Sequence, residues 1–398
     1  LINPTRSTPT RKPTMSKATK AAATETVMSR IAARASKDSG NNIQRLGDRP
    51  LEAVEVTSTG SLSLDAGLGV GGWPRGRIVE LYGQEATGKT TLVLHSIIAA
   101  QKAGLGVAFI DAEHALDTKY ARHLGVNVDD LYVAQPMTAE EALDLVCNLC
   151  DSSLIERREI EARAKDEKTA PDFTGMLGLI ILDSVAALVP KAELEGEMGD
   201  AHVALVARMM GKAMRKMTPS AHHANVTIIC INQQRMKINA GHGSPWTTTG
   251  GNALKFYASV RVQLSNIGQI KGNGATADEK MGNRVKANIQ KNKVAAPFIE
   301  VEYDLMKGEG IDRAGEVIDL AVDHGILKAK GSWLYRGDKT FAQGRPAGKT
   351  MLAAKPELMA ELEAAVRESV ETYGMKGPPK VKGKKPVDDA DGEDGVAA

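Results

Sequence analysis

Gly83-Gln84-Glu85-Ala86-Thr87-Gly88-Lys89-Thr90 matches the pattern G-x-x-x-x-G-K-[ST], and its flanks decide the fold. Before it, Ile78-Val79-Glu80-Leu81-Tyr82 is a short apolar run with strand character. After it, Thr91 to Ala103 reads as a helix. Strand, glycine loop and helix in that order make a phosphate-binding loop. Backbone N–H groups of such a loop wrap a phosphate, and the new helix adds its positive end. Residues Gly83 to Thr91 are thus expected to bind a nucleotide. Lys89 would reach the terminal phosphates and Thr90 would hold Mg2+. A second glycine cluster, Gly67 to Gly72, fits G-x-G-x-x-G. It leads into Trp73-Pro74-Arg75-Gly76 and a strand, so a dinucleotide fingerprint lacks its helix there.

Outward from the loop, strands and helices alternate. Gly106 to Glu113, Leu131 to Gln135, Leu177 to Ser184 and Val226 to Gln233 read as strands. Asp117 to His123, Glu140 to Leu154 and His202 to Met217 read as helices between them. The pattern predicts an α/β fold with a mainly parallel central sheet covered on both faces. The charged stretch 155–172 extends a helix into a solvent loop. Ala258 to Leu305 gives several strands without helices, and Gly308-Glu309-Gly310 breaks the pattern. Asp312 to Lys376 forms a small mixed unit ending in the helix Pro356 to Tyr373. Thr26 to Ala35 is a short helix ahead of the core.

The 398 residues allow two or three domains. Hydrophobic content of 42% and charged content of 25% are those of a globular protein. The 51 basic and 49 acidic side chains leave a net charge of +2, so no global field selects the partner. Residues 1–20 are basic without an acid. At the other end, Lys376, Lys380, Lys382, Lys384 and Lys385 precede Asp388, Asp389, Asp391, Glu393 and Asp394. Such blocks read as solvated, disordered tails. The basic N-terminus favours a plain tail over an organellar transit peptide, with Met15 an alternative start, and the expected compartment is the cytoplasm, at the nucleoid. No apolar run approaches membrane-span length. Three cysteines exclude a disulfide scaffold. Cys147 and Cys150 form a CxxC without a second ligand pair, which reads as a packed helix face.

Leu179-Ile180-Ile181-Leu182-Asp183 is an apolar strand ending in an acid, which suits Asp183 to the magnesium shell beside the loop. Hydrolysis also needs a base to orient water. Asp111-Ala112-Glu113 ends a neighbouring strand, and Glu113 is the better base candidate; helix capping by either acid explains the pattern equally well.

Three long motifs lie in one order: Ile110-Asp111-Ala112-Glu113-His114-Ala115-Leu116-Asp117, Asp183-Ser184-Val185-Ala186-Ala187-Leu188, and Thr247-Thr248-Thr249-Gly250-Gly251-Asn252-Ala253-Leu254-Lys255-Phe256-Tyr257. With Arg208-Met209-Met210 and Ala213-Met214-Arg215-Lys216, they closely resemble the RecA recombinase family from about Thr57 to Leu352. The resemblance implies a DNA-dependent ATPase using ATP and Mg2+. Such proteins polymerise as helical filaments on single-stranded DNA, pair it with homologous duplex and exchange strands. It implies Glu113 as the base, Tyr120 stacking on adenine with Asp117 on its edge, and Gln233 sensing the γ-phosphate. Lys291 and Lys293 match a pair that reaches the neighbouring subunit's ATP, as an arginine finger would. SOS-type repressor cleavage and loading or regulatory proteins are further implied partners.

Arg208, Lys212 and Arg215 recur at i, i+4, i+7 on one helical face, which by itself suits any solvated helix. Glycine-bearing loops at 195–202 and 234–249 offer cations and backbone donors to a phosphate backbone. By resemblance these are DNA-binding loops. Arg208, Arg215, Arg235, Lys237, Thr249, Gly250, Gly251 and Asn252 are then contact positions, and Ile238 is a wedge between base triplets. Val203, His242 and Trp246 depart from the family's usual Met, Phe and acid, and the insert at 155–172 is longer than usual. Trp246 can stack on a base or pack in its loop. The expected domains are a basic tail (1–20), a polymerisation segment (21–56), a RecA-type ATPase core (57–307), a small α/β C-terminal domain (308–375) and a Lys-rich, then acidic tail (376–398). A ring helicase on the same core, disfavoured by Thr247–Asn252, and a filament acting chiefly as a scaffold are the competing readings.

Overall fold

Ile78–Gly83 is buried at every position because it lies in the middle of a ten-stranded sheet. The computed structural model describes residues 26–40, 43–48, 53–196, 205–236, 246–272 and 279–378. Val260–Lys271, Ile78–Gly83, Thr227–Met236, Leu177–Asp183, Gly106–Asp111 and Leu131–Ala134 lie side by side in that order, all parallel. Lys280–Asn292, Ile299–Met306 and Gly310–Ile311 extend the sheet antiparallel beyond Val260–Lys271. The helix-free stretch after Ala258 therefore leads from the last parallel strand into an antiparallel wing.

Parallel strands need crossover helices, and these cover both faces. On one face the helix Lys89–Lys102 packs Leu92, Val93 and Ile97 against Val79, Leu81, Phe109 and Ile181. On the other, Ala139–Glu167 and Leu205–Ala224 pack Val146, Cys147, Cys150, Met210, Met214 and Met217 against Ile110, Ile180 and Leu182. Cys147 and Cys150 are buried core thiols.

Ala139–Glu167 starts with a capping box. Thr138 Oγ1 accepts from Glu141 N–H, and the Glu141 carboxylate accepts from Thr138 N–H. The predicted extension past Leu154 runs to Glu167, because residues 155–167 contain neither Gly nor Pro, and Arg157 pairs with Glu161 at i, i+4. Lys168 in the left-handed region then ends it. Leu205–Ala224, by contrast, outruns the predicted end at Met217, carrying Pro219 inside it.

In the small C-terminal domain, an antiparallel sheet of Lys328–Lys330, Trp333–Arg336 and Lys339–Gln343 packs with the helices Arg313–Asp323, Gly344–Ala354 and Pro356–Tyr373. Leu320, Leu327, Leu334, Leu352, Leu362 and Val366 fill its core, which Leu62 of the first domain joins. A carboxylate also joins the domains. Glu316 accepts from the N–H groups of Leu62 (3.1 Å) and Ser63 (3.2 Å) and from Ser61 Oγ. Burial still pushes its pKa up.

The described residues up to Ala53 belong to a unit of their own. Its helix Val27–Ser39 is capped by Thr26, whose hydroxyl accepts from Ser29 N–H, and ends at Gly40 with φ +68°. Val27, Met28 and Ile31 leave an apolar side exposed. The predicted tail 1–20, and the predicted tail 376–398 from residue 379 on, lie outside the described residues.

Candidate functional site

The phosphate loop turns out of its strand where only glycine fits. A Cβ at Gly83 would lie 2.4 Å from the Leu264 carbonyl oxygen. Ala86 and Gly88 both take positive φ, at 56° and 84°, which curls backbone N–H groups toward one centre, and Lys89–Lys102 starts directly after. Thr87 Oγ1 donates to the Gln84 carbonyl at 2.9 Å, and Lys89 Nζ to the same carbonyl at 2.8 Å. Gln84, Glu85 and Ala86 face solvent. Thr91 follows in the first helical turn.

Thr90 Oγ1 donates to Asp183 Oδ2 at 3.1 Å, bringing the loop to the carboxyl end of Leu177–Asp183. Burial, then the nearby Glu113 carboxylate, push Asp183 up to about 7, while burial lowers Lys89. One hydroxyl and one crowded carboxylate beside an anion-cradling loop are a donor set that fits a hard divalent cation.

The two strand-end acids, of which Glu113 was the preferred base, separate in space. Asp111 is buried, and its oxygens accept from Ala115 N–H (3.2 Å), Leu116 N–H (3.3 Å) and Gln135 Nε2 (3.0 Å). It holds its own turn. The strand ends at Asp111 rather than at the predicted Glu113, which leaves Glu113 exposed on the turn. The Asp183 carbonyl accepts from Glu113 N–H at 3.2 Å and fixes that turn. Glu113 Oε1 accepts from Gln233 Nε2 at 3.2 Å and from Ser184 Oγ. Ser184 escaped the sequence reading; its one signal is a hydroxyl directly after the strand-ending acid.

Asp117 caps Thr118–Leu124, its Oδ1 accepting from the N–H groups of Lys119 and Tyr120. Tyr120 packs half-buried against the core cluster beneath the loop helix. Lys291 does not lie on the phosphate loop of its own chain. In register it faces Arg261, which faces Glu80 low on the loop strand. Its Nζ donates to the Lys255 and Phe256 carbonyls, each at 2.8 Å. Burial, then Lys293 and Arg261, lower its pKa. Lys293 follows at the strand's end, its N–H on the Ser259 carbonyl.

Thr227–Met236 runs three residues past Gln233, and Gln234, Arg235 and Met236 pair with Thr248, Thr247 and Trp246. The loop predicted at 234–249 is thus a hairpin stem at both ends; Lys237, Ile238 and His242 lie outside the described residues, as do Val203 and most of the loop at 195–202. Arg235 is exposed on the stem, and Arg208, Lys212 and Arg215 are exposed on Leu205–Ala224. Gly250 and Gly251 take φ of 80° and 75°; a Cβ on Gly251 would stand 2.9 Å from Ala207 Cβ, and one on Gly250 3.0 Å from Val185 Cγ1. The stem's exit is thereby packed between the helix bearing Arg208 and the turn after Asp183. Asn252 then precedes the short helix Ala253–Tyr257. Trp246 lines a polar cavity of about 310 Å3 with Tyr82, Gln234, Lys255, Arg261 and Gln263.

The family profile of the RecA N-terminal domain matches residues 22–164 and 172–312, and that of the RecA C-terminal domain matches 315–371. The break between 164 and 172 falls in the charged insert. Protein RecA of Campylobacter jejuni subsp. doylei is 51% identical over 334 residues, 84% of this chain and 90% of that one. Protein RecA of Desulforapulum autotrophicum is 46% identical over 364 residues, 91% and 96% of the two chains. Among solved structures, the RadB recombinase overlays 64% of this chain and 98% of its own at a TM-score of 0.45 and 19% identity, too slight a likeness to carry an argument.

Proposed function

The chain belongs to the RecA family, and from that premise we propose that it is an ATP- and DNA-dependent recombinase, forming helical filaments on single-stranded DNA and catalysing homologous pairing and strand exchange. The observation that carries the reading is the Gln233–Glu113 hydrogen bond, which joins the hydrolytic end of the site to the strand leading into the second DNA loop.

In the proposed mechanism, Gly83 to Thr91 wrap the phosphates, with Lys89 drawn off the Gln84 carbonyl to the β- and γ-phosphate oxygens. Thr90 and Asp183 would hold Mg2+, which when bound neutralises charge on those oxygens. Glu113 takes a proton from water as its oxygen forms a bond to the γ-phosphorus. The bond from that phosphorus to the bridging oxygen breaks, leaving ADP and inorganic phosphate. Tyr120 and Asp117 hold the adenine. Lys291 and Lys293 of the next protomer stabilise the charge in flight. Their distance in register from the phosphate loop of their own chain favours this intersubunit role. Gln233 senses the γ-phosphate. Arg208, Arg215, Arg235, Lys237, Ile238, Thr249, Gly250, Gly251 and Asn252 contact DNA.

In this reading, residues 21–56 polymerise the filament, 57–307 form the core, 308–375 guide duplex DNA, and the two tails flank them. Among the described residues no helix is long and apolar enough to cross a membrane, and the proposed place of work is the cytoplasm, at the nucleoid. Promotion of SOS-type repressor cleavage is a further proposed role of the filament. The test is strand exchange between circular single-stranded and linear duplex DNA with ATP and Mg2+. Exchange that is lost in Lys89→Ala supports the reading; strand unwinding by a closed hexamer without exchange refutes it.

A further inference from the structure

Asn232, one residue before Gln233, is wholly buried, and its side-chain amide is saturated. Nδ2 donates to Glu80 Oε1 at 2.9 Å and to the Thr249 carbonyl at 3.1 Å. Oδ1 accepts from Thr249 Oγ1 at 2.5 Å and from Gln233 N–H at 2.9 Å. One amide therefore holds the backbone of Gln233 and closes onto Thr249 across 17 residues of chain.

The anchor of this amide is itself unusual. Glu80 is fully buried in the apolar run Ile78 to Tyr82. Its second oxygen accepts from Arg261 Nε, and the Arg261 guanidinium lies over the Tyr82 ring at 4.7 Å. A buried ion pair costs desolvation that an aliphatic side chain at 80 would avoid. What the pair provides is a fixed acceptor, held between the phosphate-loop strand and its neighbours, on which an amide can hang. Past Thr249, Gly250 and Gly251 turn directly against Val185 and Ala207, so the exit of the loop has no slack to absorb a movement.

We infer that Asn232 is a positioning residue that latches the two ends of the second DNA loop, so that a displacement of Gln233 is delivered at Thr249 to Gly251. The latch rests on the reading of 234–249 as a DNA loop and of Gln233 as the phosphate sensor. Coupling of this kind is reciprocal: nucleotide changes DNA affinity by the factor by which DNA changes nucleotide affinity.

The test measures anisotropy of a labelled oligothymidylate with the full chain, once with a non-hydrolysable ATP analogue and once with ADP. The ratio of the two affinities is the coupling factor. Asn232→Ala removes the latch, and Thr249→Val removes its hydroxyl half while keeping the side chain's shape and the fold. The coupling factor is expected to fall at least about fivefold in both, with an equal fall in the effect of DNA on the ratio of analogue affinity to ADP affinity. A purely structural role lowers both affinities together and leaves their ratio alone. A ratio in Thr249→Val within about twofold of the parent's overturns the latch while the functional reading stands. A parent protein whose ratio is already one overturns both.

Discussion

Gln233 Nε2 donates to Glu113 Oε1 at 3.2 Å, so the residue at the root of the hairpin stem rests on the carboxylate beside Lys89 and Asp183. Ser184 Oγ donates to the same oxygen. The carboxylate is thus oriented by two strands, one ending at Asp183 and one running on to Met236.

Glu113→Gln keeps the shape of this group and removes its basicity. The DNA-stimulated turnover number should fall about 10²- to 10⁴-fold, the usual contribution of a positioned base. Equilibrium binding of a fluorescent ATP analogue should survive. Loss of binding together with turnover would make Glu113 a ligand rather than the base.

Asp183 and Thr90 predict the metal dependence. Asp183→Asn leaves the Thr90 contact a partner and weakens the cation site. The Mg2+ concentration for half-maximal ATPase should rise at least about tenfold, on the scale of losses seen when a metal site's supporting groups are removed. Chelation should abolish turnover. An unshifted Mg2+ titration would remove Asp183 from the metal shell.

His95 predicts a pH dependence of stability. Its Nε2 accepts from Ile311 N–H at 3.0 Å, and burial lowers its pKa to about 4. The unfolded chain gains a proton near pH 6.5 that the folded chain refuses until about pH 4. This contribution to stability is complete above the unfolded value and shrinks as pH falls between the two. The loss reaches up to about 3 kcal/mol. His95→Gln lacks it, so the difference in thermal midpoint between protein and variant should narrow from pH 7.5 to pH 5. Parallel midpoints would show that His95 is not the group responsible.

Trp246 offers a choice between stacking and packing. It is half-buried on the hairpin stem opposite Met236, at the rim of the polar cavity. If it stacks on a base, Trp246→Ala should weaken single-stranded DNA binding by about 1–3 kcal/mol, with most of the affinity kept in Trp246→Phe. Unchanged affinity in Trp246→Ala would make it a packing residue.

How far the sequence was legible depends on the kind of signal. Gly83 to Thr90, the apolar strand before Asp183 and the alternation of strands and helices can be read because each is local and periodic. The ends of elements are less legible. The extension of Ala139–Glu167 past Leu154 was expected, but its end at Glu167 was not placed, since a charged helix without breakers is hard to tell from a loop. Glu113 was preferred to Asp111 as the base, but capping by either acid stayed open because only the third dimension shows Asp111 spent on Ala115, Leu116 and Gln135. The Glu80–Arg261 pair was missed altogether. Its partners stand 181 residues apart, so no spacing connects them. The one trace is an acid inside an apolar strand, where a buried charge needs a partner. Asn232 was passed over for the same reason, as a polar residue at the end of a buried run.

The most direct test of the account is complementation between two inactive variants. Glu113→Gln loses the base and Lys291→Ala loses the lysine proposed to act on the next protomer's ATP. Each alone should show almost no ATPase on single-stranded DNA. In an equimolar mixture, a head-to-tail filament places an intact Glu113 opposite an intact Lys291 at roughly a quarter of its interfaces. The mixture should then recover roughly that fraction of the DNA-stimulated rate of the parent protein. Mixed filaments that form on DNA and remain as inactive as either variant alone would contradict the shared site.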